Sequence, residues 1–412
     1  MAAYKIPQEI PDMKFGIIKE RKNPPDRRVV FTPEELARLL AAYPEAQIKV
    51  ESSDIRFFTD QEYANLGIEV TNDVSDCDVL FGVKEVPVDD LIPNKKYFFF
   101  SHTIKKQPHN QKLLKALLEK NIDLYDHETI VDQNYKRLIG FGRYAGIVGA
   151  YNGIRAFGIK FELFNLPKAE TLSGKPALIE KLKRQTLPPI KIVLTGHGKV
   201  GNGAKEILDA MKIKEVSVDN YLSKKYSEPV YVQLDLADYN KRIDGQPFDK
   251  IDFYKNPTQY TSDFERFTKV SDIFMAGHFY ANDAPFILTR EMLNAPDCKI
   301  QVVADITCDV GGPIASTIKA STIADPLFGY HPGKDIEVDV FHPAAIVVMS
   351  VDNLPCELPK DASEGFGEMF MEHVIPAFFD GDKDGILARA KITENGQLTE
   401  RFRYLQDYAD GK

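Results

Sequence analysis

The stretch Lys191–Gly203, KIVLTGHGKVGNG, constrains the fold more than any other part of this chain. Lys191–Thr195 reads as a buried strand, and Gly196–Gly203, with four glycines in eight positions, follows it at once as a turn. Ala204–Met211 then has helical spacing. A strand that turns this sharply into a helix is the start of a βα unit, and βα units build parallel sheets.

The same alternation runs through the N-terminal part. Lys14–Lys19, Gln47–Val50, Val79–Val83 and Tyr97–Phe100 are apolar or aromatic runs of strand length. Thr32-Pro33-Glu34-Glu35 begins a helix, with Thr as cap, Pro in the first turn and acids behind it. Asn110–Leu118 and the small-residue run Ala145–Ile159 read as helices, the latter packed closely on a neighbour. Lys168–Pro188 reads as a polar connection. Val216–Val218, Asp272–Ala276 and Ile300–Ala304 are further strand candidates. From Asp361 the chain reads as one helix followed by a polar tail.

The expected fold class is α/β, with two Rossmann-like doubly wound domains and a cleft between them, where ligand sites commonly lie. Residues 1–145 with 361–412 form the expected substrate domain, the C-terminus folding back onto it. Residues 146–360 form the expected dinucleotide domain with its connecting helices.

A net charge of −9 argues against a nucleic-acid partner, which needs a surplus of Lys and Arg on one face. Cys77, Cys298, Cys308 and Cys356 are scattered, which points to free thiols in a reducing compartment and to no zinc site. Residues 1–13 lack the apolar run of a secretion signal, and the longest apolar run, Ala344–Met349, is too short to span a bilayer. These features together predict a soluble cytoplasmic protein with no membrane partner.

The glycine turn has a mechanical reading. Gly196 permits the tight turn, Gly198 lets a pyrophosphate approach the backbone, and Gly201 allows close helix–strand packing. Lys199 and Val200 open the helix, whose amides then face phosphate. Asp219, after the second short strand, is the expected partner of the adenine ribose and favours NAD; Lys224 and Lys225 nearby keep NADP open. A plain glycine turn and a solvated Asp219 remain the alternatives.

Several ionisable residues sit where ligands gather in a parallel sheet. Lys84 closes the run Phe81-Gly82-Val83-Lys84-Glu85, and His102 follows Phe98-Phe99-Phe100-Ser101. Position alone leaves both open between an acid–base role and a paired or satisfied core side chain. Arg28 and Arg137 are candidates for binding carboxylates through paired hydrogen bonds, or are ordinary surface arginines.

These segments, RVVFTP from Arg28, GVKEVPVDDLIPNKKYFFFSHTIKKQ from Gly82 and RLIGFGRYAG from Arg137, occur in one order with ADITCDVGG from Ala304 and VDNLP with LPKDASE from Val351 to Glu364. In that order the chain resembles the saccharopine dehydrogenase and alanine dehydrogenase superfamily along nearly its whole length. It is similar above all to the lysine-2-oxoglutarate reductase half of bifunctional lysine-degrading enzymes and to lysine-forming saccharopine dehydrogenases. The resemblance implies that Lys84 and His102 form an acid–base pair and that Arg28 and Arg137 hold substrate carboxylates. Glu85 and Glu128 would tune the lysine and its surroundings, and Asp305 would lie near the reacting centre. It implies saccharopine, lysine and 2-oxoglutarate as substrates, a nicotinamide cofactor and no metal. It further implies a chain that stops where the reductase half stops. Arg143 receives no role. An alanine dehydrogenase-like activity and a ligand sensor that has lost turnover are the competing readings.

Overall fold

Apolar runs in the N-terminal part become the central strands of a sheet, buried along nearly their whole length as parallel sheets require, and more polar, partly exposed segments complete it to six strands. They are β1 Lys14–Ile17, β2 Gln47–Glu51, β3 Glu69–Thr71, β4 Val79–Lys84, β5 Lys96–Phe100 and β6 Asp123–Asp126. The sheet order is β3-β2-β1-β4-β5-β6, and every neighbouring pair is parallel. The order reverses between β1 and β4, so the carboxyl ends of these two strands flank the switch point where open sheets collect ligands.

The computed structural model describes residues 13–280 and 283–412. The leader-peptide reading of residues 1–13 therefore falls, apart from Met13, outside the described residues. The chain divides into two compact units, the residues up to Phe141 with Pro359–Lys412, and Gly142–Leu358.

In the first unit an aromatic core holds the C-terminal segment to the sheet. Phe81 lies 4.9 Å from Phe98, 5.5 Å from Phe31 and 5.8 Å from Phe370, ring centre to ring centre. Phe370 belongs to the helix Pro359–His373, which is followed by a separate short helix, Ile375–Phe379. The residues beyond are more than a polar tail: Ile392, Phe402 and Leu405 are buried in a core shared with Leu114 and Leu117. The helix Pro33–Ala42 starts as its sequence dictates, with Thr32 and Glu35 capping each other.

The second unit is built on β7 Lys191–Thr195, β8 Lys214–Glu215, β9 Val230–Leu234, β10 Asn240–Arg242, β11 Tyr260–Ser262, β12 Ile273–Ala276, β13 Val302–Asp305, β14 Leu327–His331, β15 Ile336–Val338 and β16 Ile346–Met349. Its large sheet runs β15-β14-β16-β13-β12-β7-β9-β8, parallel from β16 to β8 and antiparallel at the β14 and β15 edge. β10 and β11 form a separate ribbon.

Two expectations fail here for identifiable reasons. Lys168–Pro188 contains a helix, Lys175–Lys183, whose Leu178 and Leu182 bury one short stripe; polar neighbours mask it in the sequence. Val216–Val218 is not a strand. The exposed pair β8 precedes it, and Val218 already opens the helix Val218–Ser223, capped by Ser217.

The helix Gly142–Lys160 is buried around most of its circumference and packs on the helix Lys199–Ala210. Glycines set that approach. A methyl group on Gly146 would lie 1.9 Å from the Val200 carbonyl oxygen, and one on Gly203 would lie 2.0 Å from the Arg143 carbonyl oxygen. Both obstacles are backbone, so the helices must separate to admit a side chain. Gly146→Ala is expected to destabilise this unit by about 1–3 kcal/mol, seen as a lower denaturation midpoint in urea. An unchanged midpoint would show that the two helices tolerate a wider spacing.

Candidate functional site

The first unit carries its ionisable residues at the carboxyl edge of the sheet. β4 is irregular between Phe81 and Lys84, and the Glu20 carboxyl group accepts the backbone N–H groups of Val83 at 2.6 Å and Lys84 at 2.9 Å. Burial and the nearby Asp26 push the Glu20 carboxyl up to about 8. His127 ties the same strand from the other side, its Nε2 donating to the Gly82 carbonyl at 2.8 Å. Burial pushes this histidine down to about 3, so it is neutral.

Arg28 is 3% exposed and donates to Asp26 through Nε at 3.0 Å and Nη2 at 2.6 Å, with its guanidinium 4.2 Å from the centre of the Phe141 ring. Burial opposes ionisation of Asp26, but Arg28 overrides it and holds the carboxyl down at about 2. Glu85 pairs with Lys22 at 2.7 Å, and the charge of Lys84 acts on both Glu85 and Asp26. Asp26, Lys22 and Glu20 were not singled out from the sequence, although KERKNPPDRR shows the charge density that betrays them.

Glu128 is the hub of the other cluster. Its Oε2 lies 3.1 Å from His102 Nδ1, and its Oε1 lies 3.3 Å from Lys105 Nζ and 3.5 Å from Arg137 Nη2. Arg137 is 43% exposed in its side chain, and its guanidinium sits 5.6 Å from the Phe100 ring centre. Its exposure suits it to bind a carboxylate, whereas Arg28 is already engaged by Asp26. Burial opposes ionisation of Glu128; the His102 hydrogen bond and the two cations nevertheless hold its carboxyl at about 2. Lys105 is a further member of this cluster that sequence reasoning passed over.

In the second unit the glycine turn is Gly196–Gly198, and the helix begins at Lys199. Gly196 has φ +96°, and an added methyl would meet the Gly277 carbonyl oxygen at 2.5 Å. One on Gly201 would lie 1.9 Å from the Gly196 carbonyl oxygen, while one on Gly198 would meet nothing within 4 Å. Gly196 and Gly201 therefore permit the turn itself, and Gly198 leaves open space over the helix start. Gly196, Gly198, Lys199 and Val200 line a cavity of about 520 Å³ together with Asp235, Tyr239, Lys250 and His278. The residues present fit a dinucleotide pyrophosphate.

Asp219 does not reach this cavity. It lies exposed in the first turn of the helix Val218–Ser223, and the expected strand before it is absent. The strand beside β7 is β9, with Thr195 opposite Leu234, so the residue that leaves the sheet next to Gly196 is Asp235. Spacing alone favoured the nearer carboxylate. The longer apolar run Val230–Leu234 ending in Asp235 is the sequence signal for a carboxylate beside the turn. Asp305, also in this unit, is 0% exposed. Its carboxylate accepts from the Thr307 N–H and hydroxyl, the Cys308 N–H and the Thr317 hydroxyl, so it organises its own loop.

Among the described residues no His, Cys, Asp or Glu group is placed to hold a metal ion, and no helix is long and apolar enough to cross a membrane.

The Glu128 hub makes a pH-dependent contribution to stability with a definite sign. A carboxyl lowered in the folded state stabilises above its unfolded value of about 4.3 and loses that contribution as pH falls through the folded value. Glu128→Gln should be less stable than wild type by about 1–3 kcal/mol at pH 6, and the gap should shrink by pH 3, measured by urea denaturation. A gap independent of pH would mean that His102 and the two cations do not act through this charge.

Residues 16–148 match the family model described as Alanine dehydrogenase/PNT, N-terminal domain. The alpha-aminoadipic semialdehyde synthase of Arabidopsis thaliana is 29% identical over 95% of this chain and 41% of its own length. The chain thus spans about half the length of the first curated relatives it matches, or somewhat less. A Schizosaccharomyces pombe protein named saccharopine dehydrogenase [NAD(+), L-lysine-forming] is 27% identical over 91% of this chain and 95% of its own. Among solved structures, an L-alanine dehydrogenase has the same fold, with a TM-score of 0.65 at 17% identity over 97% of this chain and 99% of the other. Residues 16–148 are thus similar to the N-terminal domain of alanine dehydrogenases, and along most of its length the chain is similar to proteins named lysine-forming saccharopine dehydrogenase and alpha-aminoadipic semialdehyde synthase.

Proposed function

We propose that this chain interconverts saccharopine and water with lysine and 2-oxoglutarate, moving a hydride to or from a nicotinamide dinucleotide, NAD in preference to NADP. The observation that carries the reading is the pairing of two features. A full-length match to a relative of that name accompanies an edge of the first unit that holds Lys84, His102 and a cation cluster around Glu128. The residues up to Phe141 with Pro359–Lys412 are assigned to substrate, and Gly142–Leu358 to the dinucleotide.

When bound, the dinucleotide supplies the hydride acceptor or donor. Lys84 takes the proton from the secondary amine of saccharopine. His102, with Glu128 behind its ring, carries protons during attack of water on the imine and breakage of the C–N bond. Arg137 and Lys105 attract the substrate's carboxylates, and Arg28, held by Asp26, keeps the neighbouring backbone and charge in place. Asp235 takes the ribose position first given to Asp219, and Lys250 Nζ lies 3.7 Å from its carboxylate.

The test is to follow reduced nicotinamide with purified protein, offering saccharopine, lysine plus 2-oxoglutarate, and alanine, each with both cofactors. Turnover of saccharopine is expected; turnover of alanine alone would replace this reading with the alanine dehydrogenase one. Lys84→Met should lower kcat by about 10²–10⁴-fold and remove one limb of the pH–rate profile. His102→Gln should lower kcat with a smaller isotope effect from deuterated cofactor, because a step other than hydride transfer becomes limiting. Asp235→Ala should narrow the preference for NAD, while Asp219→Ala should leave it unchanged. The opposite pattern would return the ribose contact to Asp219.

A further inference from the structure

β6 ends at Asp126, which is 0% exposed. Its Oδ2 accepts the backbone N–H of Ser101 at 2.9 Å and of His102 at 3.2 Å, and it also accepts the Ser101 hydroxyl. Its Oδ1 accepts the N–H of Glu128 at 2.7 Å. The Ser101 hydroxyl is linked in turn to Thr103 at 2.9 Å. One carboxylate therefore spans from the exit of β5 to the turn after β6.

The backbone it holds is unusual. His102 has φ +55°, a left-handed conformation that costs a residue with a Cβ about 1–2 kcal/mol. The Asp126 carboxylate is the group that grips this residue's N–H. With its other oxygen it grips Glu128, the residue whose side chain meets His102 Nδ1 at 3.1 Å. A simple turn cap would need Oδ1 alone; the three donors on Oδ2 exceed what the turn requires.

We propose that Asp126 is a positioning residue for the His102–Glu128 pair, its carboxylate holding both backbones so that the imidazole and its carboxylate partner stay in hydrogen-bonding register. The kinetic consequence rests on the reaction proposed above; the geometric one does not. The charged and titratable groups that face His102 within this unit are Glu128, Lys105 at 3.3 Å from Nδ1 and, through Glu128, Arg137. Lys84 stands on the neighbouring strand, opposite Phe100. Asp126 itself lies beneath the backbone.

Histidine-ring NMR of the full-length protein at one fixed pH tests this without substrate or cofactor, with His102→Gln identifying the signal. Glu128→Gln should displace the His102 ring signals, since it removes the carboxylate that meets Nδ1. Asp126→Asn should displace them the same way and nearly as far with Glu128 still present, because an amide accepts on one side only and cannot hold both backbones. The double variant should show the signals of Glu128→Gln alone. Wild-type signals in Asp126→Asn, or displacements that add in the double variant, would overturn the proposal.

If Asp126→Asn fails to fold, Ser101→Ala removes one donor from the same carboxylate and should give a smaller shift in the same direction. No shift there would overturn the proposal equally. In the enzyme assay Asp126→Asn should lose about tenfold in kcat with KM within a factor of about three, the signature of lost acid–base positioning rather than lost substrate binding. A wild type that turns over none of the offered substrates would refute the reaction assignment and leave the ring signals to decide on Asp126.

Discussion

Strands of a parallel sheet leave their carboxyl ends with backbone N–H groups that have lost the ladder, and in this protein the carboxyl groups of Glu and Asp side chains collect them. Glu51, closing β2, accepts the N–H of Lys19 beyond β1. Glu20, beyond β1, accepts Val83 and Lys84 at the end of β4. Asp126, closing β6, accepts Ser101 and His102 beyond β5. In the second unit Asp305, closing β13, accepts Thr307 and Cys308 of its own exit loop. An unpaired buried N–H costs about 1–3 kcal/mol, so each of these loops has little freedom to move. The ionisable side chains of the site ride on the backbone so held.

The same economy of placement sets the charges. Four cations of the first unit's edge find carboxylates within that unit: Arg28 with Asp26, Lys22 with Glu85, and Lys105 and Arg137 with Glu128. The pairs differ in exposure, and that difference sorts them by task. The Arg28–Asp26 pair is 2–3% exposed and serves the fold. Lys105 and Arg137 are exposed by nearly half and can turn toward an anionic ligand while Glu128 stays in place. A partly buried carboxylate beneath exposed cations is the surface to which the proposed reaction assigns a substrate carboxylate.

Much of this was legible in the sequence where the signal is local. KIVLT followed by a glycine turn, the aromatic run YFFF and the Thr-Pro-Glu-Glu helix start each carry their own reason for the structure they adopt. The site was legible to the extent that Lys84 and His102 close apolar runs, because the end of such a run is the carboxyl edge of a sheet. Asp235 is not legible as the carboxylate beside the glycine turn because the order of strands is not local. The two-residue β8 intervenes, and β9, more distant in sequence, takes the place beside β7. The helix Lys175–Lys183 was hidden for another reason: a stripe of two leucines is too short to rise above its polar neighbours.

The sequence by itself determined that strands alternate with helices, which glycines turn and cap them, and which residue types stand at the strand ends, since these follow from backbone sterics and side-chain periodicity over a few residues. Only the tertiary structure decided which carboxylate serves which amide or cation. Glu128 with His102, Lys105 and Arg137, Arg28 with Asp26, Glu20 with Lys84, and Asp235 beside Gly196 are settled by which strands become neighbours. That choice depends on burying whole sheet faces, a requirement spread over each unit and not written in any short segment of it.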